Sequence, residues 1–167
     1  SVYNINEYQK TYLIDRAMHE AGFGFNQTTV ALLGLAFKKR TNDMRDSAAL
    51  KAVESLLGRG VKAIRAYDPL AMDEARQRWF NPDQNHLFER ISYHASAEEA
   101  MTGADAIFIS TDWEEFRGLT PAILAHATVP CLVIDGRRMI ADYQALVAAG
   151  FGYLPVGGPY LPPVPAV

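Results

Sequence analysis

The chain has 167 residues, of which 49% are hydrophobic, and a formal net charge of −3 at pH 7. This length and composition predict one globular domain with a sizeable core and exclude a disordered chain. The acidic balance argues against a nucleic-acid or anionic-membrane surface, no apolar run approaches the roughly 20 residues that a transmembrane helix needs, and no signal peptide is visible, so we expect a cytoplasmic protein.

The first predicted element is a helix over residues 4–21, which Gly22 and Gly24 follow. Apolar residues at spacings of one, three and four form a stripe on it, made of Leu13, Ile14, Ala17, Met18 and Ala21. A second, aromatic edge comes from Tyr3, Tyr8 and Tyr12. A helix with two apolar edges at the start of a chain is expected to pack against a partner that the chain itself does not supply.

The remaining elements alternate between strand and helix. Apolar, β-branched runs predict strands over 28–33, 61–67, 90–93, 105–110, 131–135 and 151–156. Helical patterns cover 47–58, 72–79, 96–102, about 114–127 and 140–149. This order predicts an α/β fold: a Rossmann-like parallel sheet of about six strands with helices on both faces, preceded by an N-terminal helix. The Pro- and Gly-rich tail, 157–167, is expected to be either extended against the domain or disordered.

The loop after the first predicted strand, 34–47, carries four basic residues. Ligands of open α/β sheets bind beyond the carboxyl ends of the strands, so this loop predicts an anionic ligand, with a phosphate group first. Lys38 could donate to a phosphate or sugar oxygen as a point charge, and Arg45 could bind a phosphate with two parallel hydrogen bonds. Phe37 could pack against a sugar or a base. Structural and functional roles stay open for Lys38 and Arg45, whereas Lys39 and Arg40 fit a solvated surface.

The same loop does not carry a dinucleotide fingerprint. A GxGxxG turn followed by an acid about 20 residues later would be expected for that function, but Gly34-Leu35-Ala36 holds one glycine and Asp68 comes 34 residues after Gly34. The first turn is therefore not expected to bind a pyrophosphate tightly through its amides. We interpret Asp68 as a structural cap rather than a ribose ligand.

Two further loops follow predicted strands. In the first, Thr111 or Asp112 could cap the next helix while Trp113 and Phe116 enter the core; the other interpretation is that this loop borders the ligand crevice. The second, Asp135-Gly136-Arg137-Arg138, places two guanidinium groups at the same edge. We expect one arginine to face the crevice and the other to pair with an acid, for which Asp135 is the candidate.

No residue stands out as catalytic or metal-binding. Cys131 is the only cysteine, and the four histidines show no metal-ligand spacing, so neither an internal disulfide nor a metal site is expected. Cys131 lies in an apolar run after Pro130 with no neighbouring histidine, which predicts an inert side chain in the core.

These segments together resemble the C-terminal domain of the UDP-glucose/GDP-mannose dehydrogenase family. The resemblance rests on Gly34-Leu-Ala-Phe-Lys-Lys-x-Thr-x-Asp-x-Arg-x-Ser47, Tyr67-Asp68-Pro69, Ala104-Asp105-Ala106, Thr111-Asp-Trp-x-x-Phe116 and Asp135-Gly-Arg-Arg138. It covers about residues 4–155, and the last motif is most similar to UDP-glucose 6-dehydrogenases. It implies three parts: residues 1–24 as the end of an interdomain and dimerisation helix, 25–156 as a UDP-sugar-binding domain, and the tail 157–167.

The resemblance also implies chemistry and site residues. The family oxidises a nucleotide sugar to the uronic acid with two NAD, through a thioester on a catalytic cysteine, and UDP-glucose would give UDP-glucuronate. Phe37 and Lys38 would contact the UDP-sugar, Arg137 would contact the sugar from the partner subunit of a homodimer, and Arg45 would reach NAD. The resemblance gives no ligand role to the Thr111–Phe116 segment, and UDP rather than GDP rests on it alone.

The chain departs from this family in lacking the NAD-binding half and the catalytic-cysteine motif, which Cys131 does not match. We therefore expect a UDP-binding domain that has no dehydrogenase activity by itself and whose NAD would be bound mainly by another part of the enzyme. A stand-alone nucleotide-binding or regulatory module is the alternative. A protein-interaction domain would explain the tail and the first helix but leaves the clustered cations unexplained.

Overall fold

The computed structural model describes residues 12–165. Residues 12–19 are helical (α1), so the second half of the predicted first helix is present. Its first half, with Tyr3 and Tyr8, lies outside the described residues. The inward face of α1 carries Leu13, Ile14 and Ala17, all buried, which confirms the apolar stripe.

The described residues form one six-stranded sheet in which every pair of neighbours is parallel. Its strands are β1 (Thr29–Leu33), β2 (Ala63–Tyr67), β3 (Ile91–Tyr93), β4 (Ala106–Ile109), β5 (Leu132–Asp135) and β6 (Gly152–Pro155). The spatial order is β3-β2-β1-β4-β5-β6, which confirms the Rossmann-like prediction. The order reverses between β1 and β4, so the crevice in which such sheets bind ligands opens there.

The strand register brings the carboxyl ends of the central strands to one line. Leu33 of β1 is opposite Tyr67 of β2 and Ile109 of β4, and Ile109 is opposite Asp135 of β5. The loops that follow these four strands therefore all begin at the same side of the sheet, which we call the carboxyl edge. This alignment is what brings residues far apart in the sequence into one site.

Helices cover both faces of the sheet, as a near-continuously apolar parallel sheet requires. They are α2 (Ala48–Gly58), α3 (Met72–Glu74), α4 (Ala97–Met101), α5 (Pro121–Ala127) and α6 (Tyr143–Ala148). One face packs against α1 and α2, and the other packs against α4, α5 and α6. No helix within 12–165 is both long enough and apolar enough to span a bilayer.

Two predicted helices differ in detail. The segment 72–79 begins as α3 and continues as a π-helical turn, Ala75–Trp79. The segment 114–127 is divided into a 3-10 turn, Glu114–Gly118, and α5, since Thr120 caps α5 and Pro121 stands at its first position. A further 3-10 turn, His86–Arg90, leads into β3. These are differences of helix type and continuity, and they leave the predicted topology unchanged.

The tail, as far as residue 165, is extended against the domain, which is one of its two predicted alternatives. Leu161 forms an antiparallel bridge with Tyr153 of β6, and the amide of Val164 donates to the carbonyl of Val147 at 2.9 Å. From the other side, the buried guanidinium of Arg16 donates to the carbonyls of Pro155 and Gly158 at 2.9 and 2.6 Å. The described part of the tail thus covers the outer edge of β6.

Candidate functional site

The turn after β1 depends on a glycine. Gly34 has a φ of +102°, and its amide donates to the carbonyl of Tyr67 at 2.8 Å. The side chain of Thr111 lies directly against its Cα, where a Cβ would otherwise be. Thr111 Oγ1 in turn donates to the carbonyl of Ala36 at 2.8 Å. The loops after β1 and β4 are therefore in direct contact at the point where the strand order reverses.

Asp68, directly after β2, is the most connected carboxylate of this edge. Its Oδ2 accepts hydrogen bonds from the amides of Leu35 and Ala36 at 2.8 and 3.0 Å and from the indole N–H of Trp113 at 3.0 Å. Its Oδ1 accepts from the amides of Leu70 and Ala71. The residue is fully buried. This confirms the interpretation of Asp68 as a structural cap, and it shows that the cap joins three loops.

The predicted contact residues Phe37 and Lys38 lie beyond this cap. Phe37 is 49% exposed, and Lys38 is also exposed. The amide of Phe37 donates to the carbonyl of Asp43 at 2.8 Å, which folds the 34–47 loop back on itself. The loop thus presents an aromatic ring and an ammonium group on its outer surface while its base is buried.

Arg45 lies on the return side of the same loop and is paired within it. Its guanidinium contacts both oxygens of Asp43, with Nη2 and Oδ2 2.7 Å apart. The hydrogen bonds from Arg45 lower the pKa of Asp43 to about 2. The Arg45 side chain is 72% exposed, so a ligand could still reach it. Ser47, two residues later, caps α2, since its Oγ accepts from the amide of Ala49.

Arg137 meets the 34–47 loop from the other side of the crevice. Its Nη1 lies 3.5 Å from the carbonyl of Phe37, and its Nη2 lies 3.4 Å from Asp112 Oδ2. Asp112 Oδ1 also accepts from the amide of Lys39 at 2.9 Å. Desolvation pushes the pKa of Asp112 upward, but the Lys39 amide and the charge of Arg137 outweigh it and leave the pKa below its ordinary value. Asp112 therefore connects the loops after β1 and β5.

The expected partnership between Asp135 and an arginine is wrong. Asp135 is buried and accepts from the amides of Met139 and Ile140 and from the hydroxyl of Tyr153, at 2.9, 2.9 and 2.7 Å. Arg137 contacts Asp112 and also lies at the crevice, whereas Arg138 contacts a main-chain carbonyl, so the expected division of roles between the two arginines is wrong as well. Asp135 caps its own loop instead, since two of its three donors are amides of that loop.

The two arginines of this turn point to different places. Arg137 lies beside Phe37, whereas Arg138 donates from Nε to the carbonyl of Val156 at 2.6 Å and lies against Gly158. Arg138 also has a φ of +56°. A positive φ is uncommon for a residue other than glycine. In this conformation the side chain of Arg138 contacts Val156 and Gly158. Arg137 is therefore the arginine that faces the crevice.

The expectation that Thr111 or Asp112 caps the next helix is also wrong. The 3-10 turn at Glu114–Gly118 has no side-chain cap, because Thr111 bonds to Ala36 and Asp112 bonds to Lys39 and Arg137. Trp113 and Phe116 do enter the core, as predicted. The two interpretations of the loop after β4 therefore apply to different residues. Its aromatic side chains are buried in the core, and its polar residues border the crevice.

Lys39 and Arg40 agree with their interpretation as a solvated surface. Both pair with the exposed Glu114, at 3.4 and 2.6 Å.

Cys131 lies directly before β5, at the opposite edge of the sheet from the loops described above. Burial raises the pKa of its thiol to about 12. A thiol with such a pKa is a poor nucleophile near neutral pH.

Comparison with known proteins agrees with this geometry. Residues 31–142 match the model of the UDP binding domain of the UDP-glucose/GDP-mannose dehydrogenase family. The chain belongs to this family. The matched residues include the loops after β1, β2, β4 and β5, so the family domain contains the whole site described above.

Relatives of known sequence or structure extend the family match. UDP-glucose 6-dehydrogenase YwqF of Bacillus subtilis is 35% identical over 157 residues, which are 94% of this chain and 33% of YwqF. A UDP-glucose dehydrogenase structure from Pyrobaculum islandicum matches with a TM-score of 0.69 and 27% identity over 86% of this chain and 29% of that one. A UDP-D-ManNAc dehydrogenase structure from Pyrococcus horikoshii matches with a TM-score of 0.63 and 30% identity over 89% and 30%.

The family domain is one part of these relatives: the chain spans about a third of the length of the curated proteins that it matches. Its first βα turn does not fit the pyrophosphate of NAD. The space beside Gly34 is filled by Thr111, and the carboxylate of Asp68, at the end of β2, is used by loop amides and an indole. The sheet of this UDP binding domain therefore lacks the contacts with which a dinucleotide-binding turn holds its cofactor.

Proposed function

We propose that this domain binds the UDP-sugar substrate of an NAD-dependent nucleotide-sugar dehydrogenase of the UDP-glucose 6-dehydrogenase type. Within it, Phe37 and Lys38 contact the UDP-sugar together with Arg137 of the same chain, rather than with Arg137 of a partner subunit as the family resemblance implies. The observation that supports this most is the approach of Arg137 to the carbonyl of Phe37, which brings a guanidinium next to the exposed Phe37–Lys38 segment in the loop beside the reversal point of the sheet. An anionic nucleotide is the ligand that such a set of groups favours.

Each of these groups has a distinct part in the proposal. The ring of Phe37 is half exposed, so it can cover the apolar face of a base or a sugar. Lys38 supplies a flexible point charge, and Arg137 supplies a planar donor to a phosphate or sugar oxygen. The long 3.4 and 3.5 Å contacts of Arg137 are weak ones, so a phosphate can replace them at small cost.

NAD is part of the proposal through Arg45. When bound, NAD would accept hydride from the sugar. The first turn of this sheet does not fit it, so in the proposal another part of the enzyme holds NAD, and Arg45 contacts it from the outer surface of the 34–47 loop. The exposed guanidinium of Arg45 is compatible with this role, because its contacts with Asp43 leave it accessible.

The proposal is tested by NMR titration of the domain with UDP, GDP, UDP-glucose and NAD, a method that detects millimolar binding. We expect UDP and UDP-glucose to shift the amide signals of Phe37, Lys38 and Arg137, and GDP to shift them less. Signals at the amino ends of the strands, such as that of Cys131, serve as an internal control. Failure of all four ligands to shift the signals of the carboxyl edge would contradict the proposal.

A further inference from the structure

The acid at the end of β2 faces inward. In dinucleotide-binding sheets an acidic residue at this place binds the ribose of the cofactor. Here Asp68 is fully buried and accepts five hydrogen bonds from other residues of the protein. A carboxylate without exposed surface does not contact a ligand, so any influence it has on binding passes through its partners.

The hydrogen-bond partners of Asp68 are linked to the residues of the proposed UDP-sugar site on two sides. On one side, Asp68 accepts from the amides of Leu35 and Ala36, and Phe37 and Lys38 follow directly. On the other side, it accepts from the indole N–H of Trp113. Trp113 follows Asp112, whose carboxylate contacts Arg137 and the amide of Lys39.

We propose that Asp68 is a positioning residue for UDP-sugar binding: it sets the Phe37–Lys38 segment through the Leu35 and Ala36 amides and the Asp112–Arg137 pair through Trp113. This inference rests on the proposed function and adds to it the group that aligns the two sides of the site. Three donors on one buried oxygen are a strong arrangement, because each is a hydrogen bond to a charged acceptor in a site of low dielectric constant.

The sequence offers a matched pair of variants for the Trp113 route. Trp113→Phe removes the indole N–H that Asp68 accepts and keeps an aromatic ring in the core. Trp79→Phe is its control, because the Trp79 indole nitrogen is buried without a hydrogen-bond partner in the described residues. Both variants lose the same atoms, and only the first removes a bond to Asp68. Asp68→Asn tests the carboxylate itself, and Trp113→Phe keeps the test decisive if Asp68→Asn does not fold.

Three measurements on each variant separate positioning from stability. The first is the midpoint of urea unfolding. The second is native-state hydrogen exchange at the Leu35 and Ala36 amides, with Met139 and Ile140, which Asp135 holds, as reference amides. The third is the dissociation constant for UDP from NMR titration, measured well below the unfolding midpoint. A purely structural residue would move the first measurement and leave the affinity of the folded protein unchanged.

We expect Trp113→Phe to raise the dissociation constant for UDP and the exchange rate at Leu35 and Ala36 by about tenfold, the effect of one hydrogen bond to a charged group. Trp79→Phe should leave both near the wild-type values. Equal UDP affinity for the two tryptophan variants would overturn the positioning role and leave the proposed function standing. A wild-type domain that does not bind UDP would overturn both.

Discussion

The side chain of Thr111 lies in the space that a Cβ on residue 34 would need, and Gly34 leaves this space free. A Cβ built on Gly34 would lie 2.5 Å from the Thr111 Cβ and 2.7 Å from its amide nitrogen, and Gly34 also has a φ of +102°. Two independent requirements, close approach and a backbone conformation that glycine alone adopts easily, thus apply to one residue. The contact brings the loops after β1 and β4 together under the proposed site.

Gly34→Ala should therefore destabilise the domain by more than about 2 kcal/mol, since it combines backbone strain with a clash against main-chain atoms. Urea unfolding followed by circular dichroism measures this change. Gly58→Ala is the control: it lies at the end of α2 with open space around it, and alanine there should be neutral or slightly stabilising. A Gly34→Ala domain as stable as Gly58→Ala would show that the Thr111 contact is not required.

The topology was predictable from the sequence because it depends on hydrophobic pattern. Each of the six predicted strands is present within one to two residues of its bounds, since parallel strands buried on both faces are near-continuously apolar. The cap at Ser47 was predictable for a similar local reason: a hydroxyl directly before a helical pattern accepts from its first amides.

The pairings at the carboxyl edge were not predictable, because they join side chains from loops that are distant in the sequence. Asp112 rather than Asp135 pairs with Arg137, and Thr111 bonds across the crevice instead of capping its own helix. Which carboxylate faces an arginine depends on the strand order and on the direction of each loop. A signal was nevertheless present in the sequence: Asp68 and Asp112 come shortly after strands, and Asp135 is the last residue of one, and these strands end at one line.

The Asp112–Arg137 pair should make a pH-dependent contribution to stability. The pKa of Asp112 is lowered in the folded state, so its contribution is complete above the unfolded pKa, about 3.9, and is lost as the pH falls through the lower folded pKa. Asp112→Asn should reduce the free energy of unfolding by roughly 0.5–1 kcal/mol near neutral pH, because the pair is partly solvated. Asparagine still offers an oxygen to the Lys39 amide, so the difference isolates the charge.

Urea midpoints measured from neutral pH down to acid check this prediction. The difference between wild type and Asp112→Asn should be constant above about pH 5 and shrink below it, and added salt should reduce it. Asp83→Asn, in the exposed turn after Asn81, is the control acid. A difference that grows as the pH falls would contradict the assigned sign.

The domain alone should not reduce NAD in the presence of UDP-glucose. Its only cysteine, Cys131, lies at the edge of the sheet opposite the proposed site, and burial raises the pKa of the thiol to about 12. The assay is the absorbance of NADH. Cys131→Ser should leave the affinity for UDP unchanged. NADH formation by the domain that Cys131→Ser abolishes would place this thiol in the chemistry.

Lys38→Ala is the most direct test of a single residue in the proposed site. Removing one ammonium that donates to a phosphate or sugar oxygen should raise the dissociation constant for UDP-glucose by about tenfold. Stability should change by no more than about 0.5 kcal/mol, because Lys38 is exposed. Lys62→Ala is the matched control, since Lys62 is also exposed but lies just before β2, at the amino end of the strands.

The dissociation constants of wild type and both variants are measured by NMR or calorimetric titration at two salt concentrations. An electrostatic contact of Lys38 predicts that added salt weakens binding by wild type more than binding by Lys38→Ala, whereas Lys62→Ala should follow wild type. Equal affinities of Lys38→Ala and wild type at low salt would remove Lys38 from the site. The recognition of the nucleotide would then rest on Phe37 and Arg137, whose carbonyl and guanidinium groups are within 3.5 Å of each other.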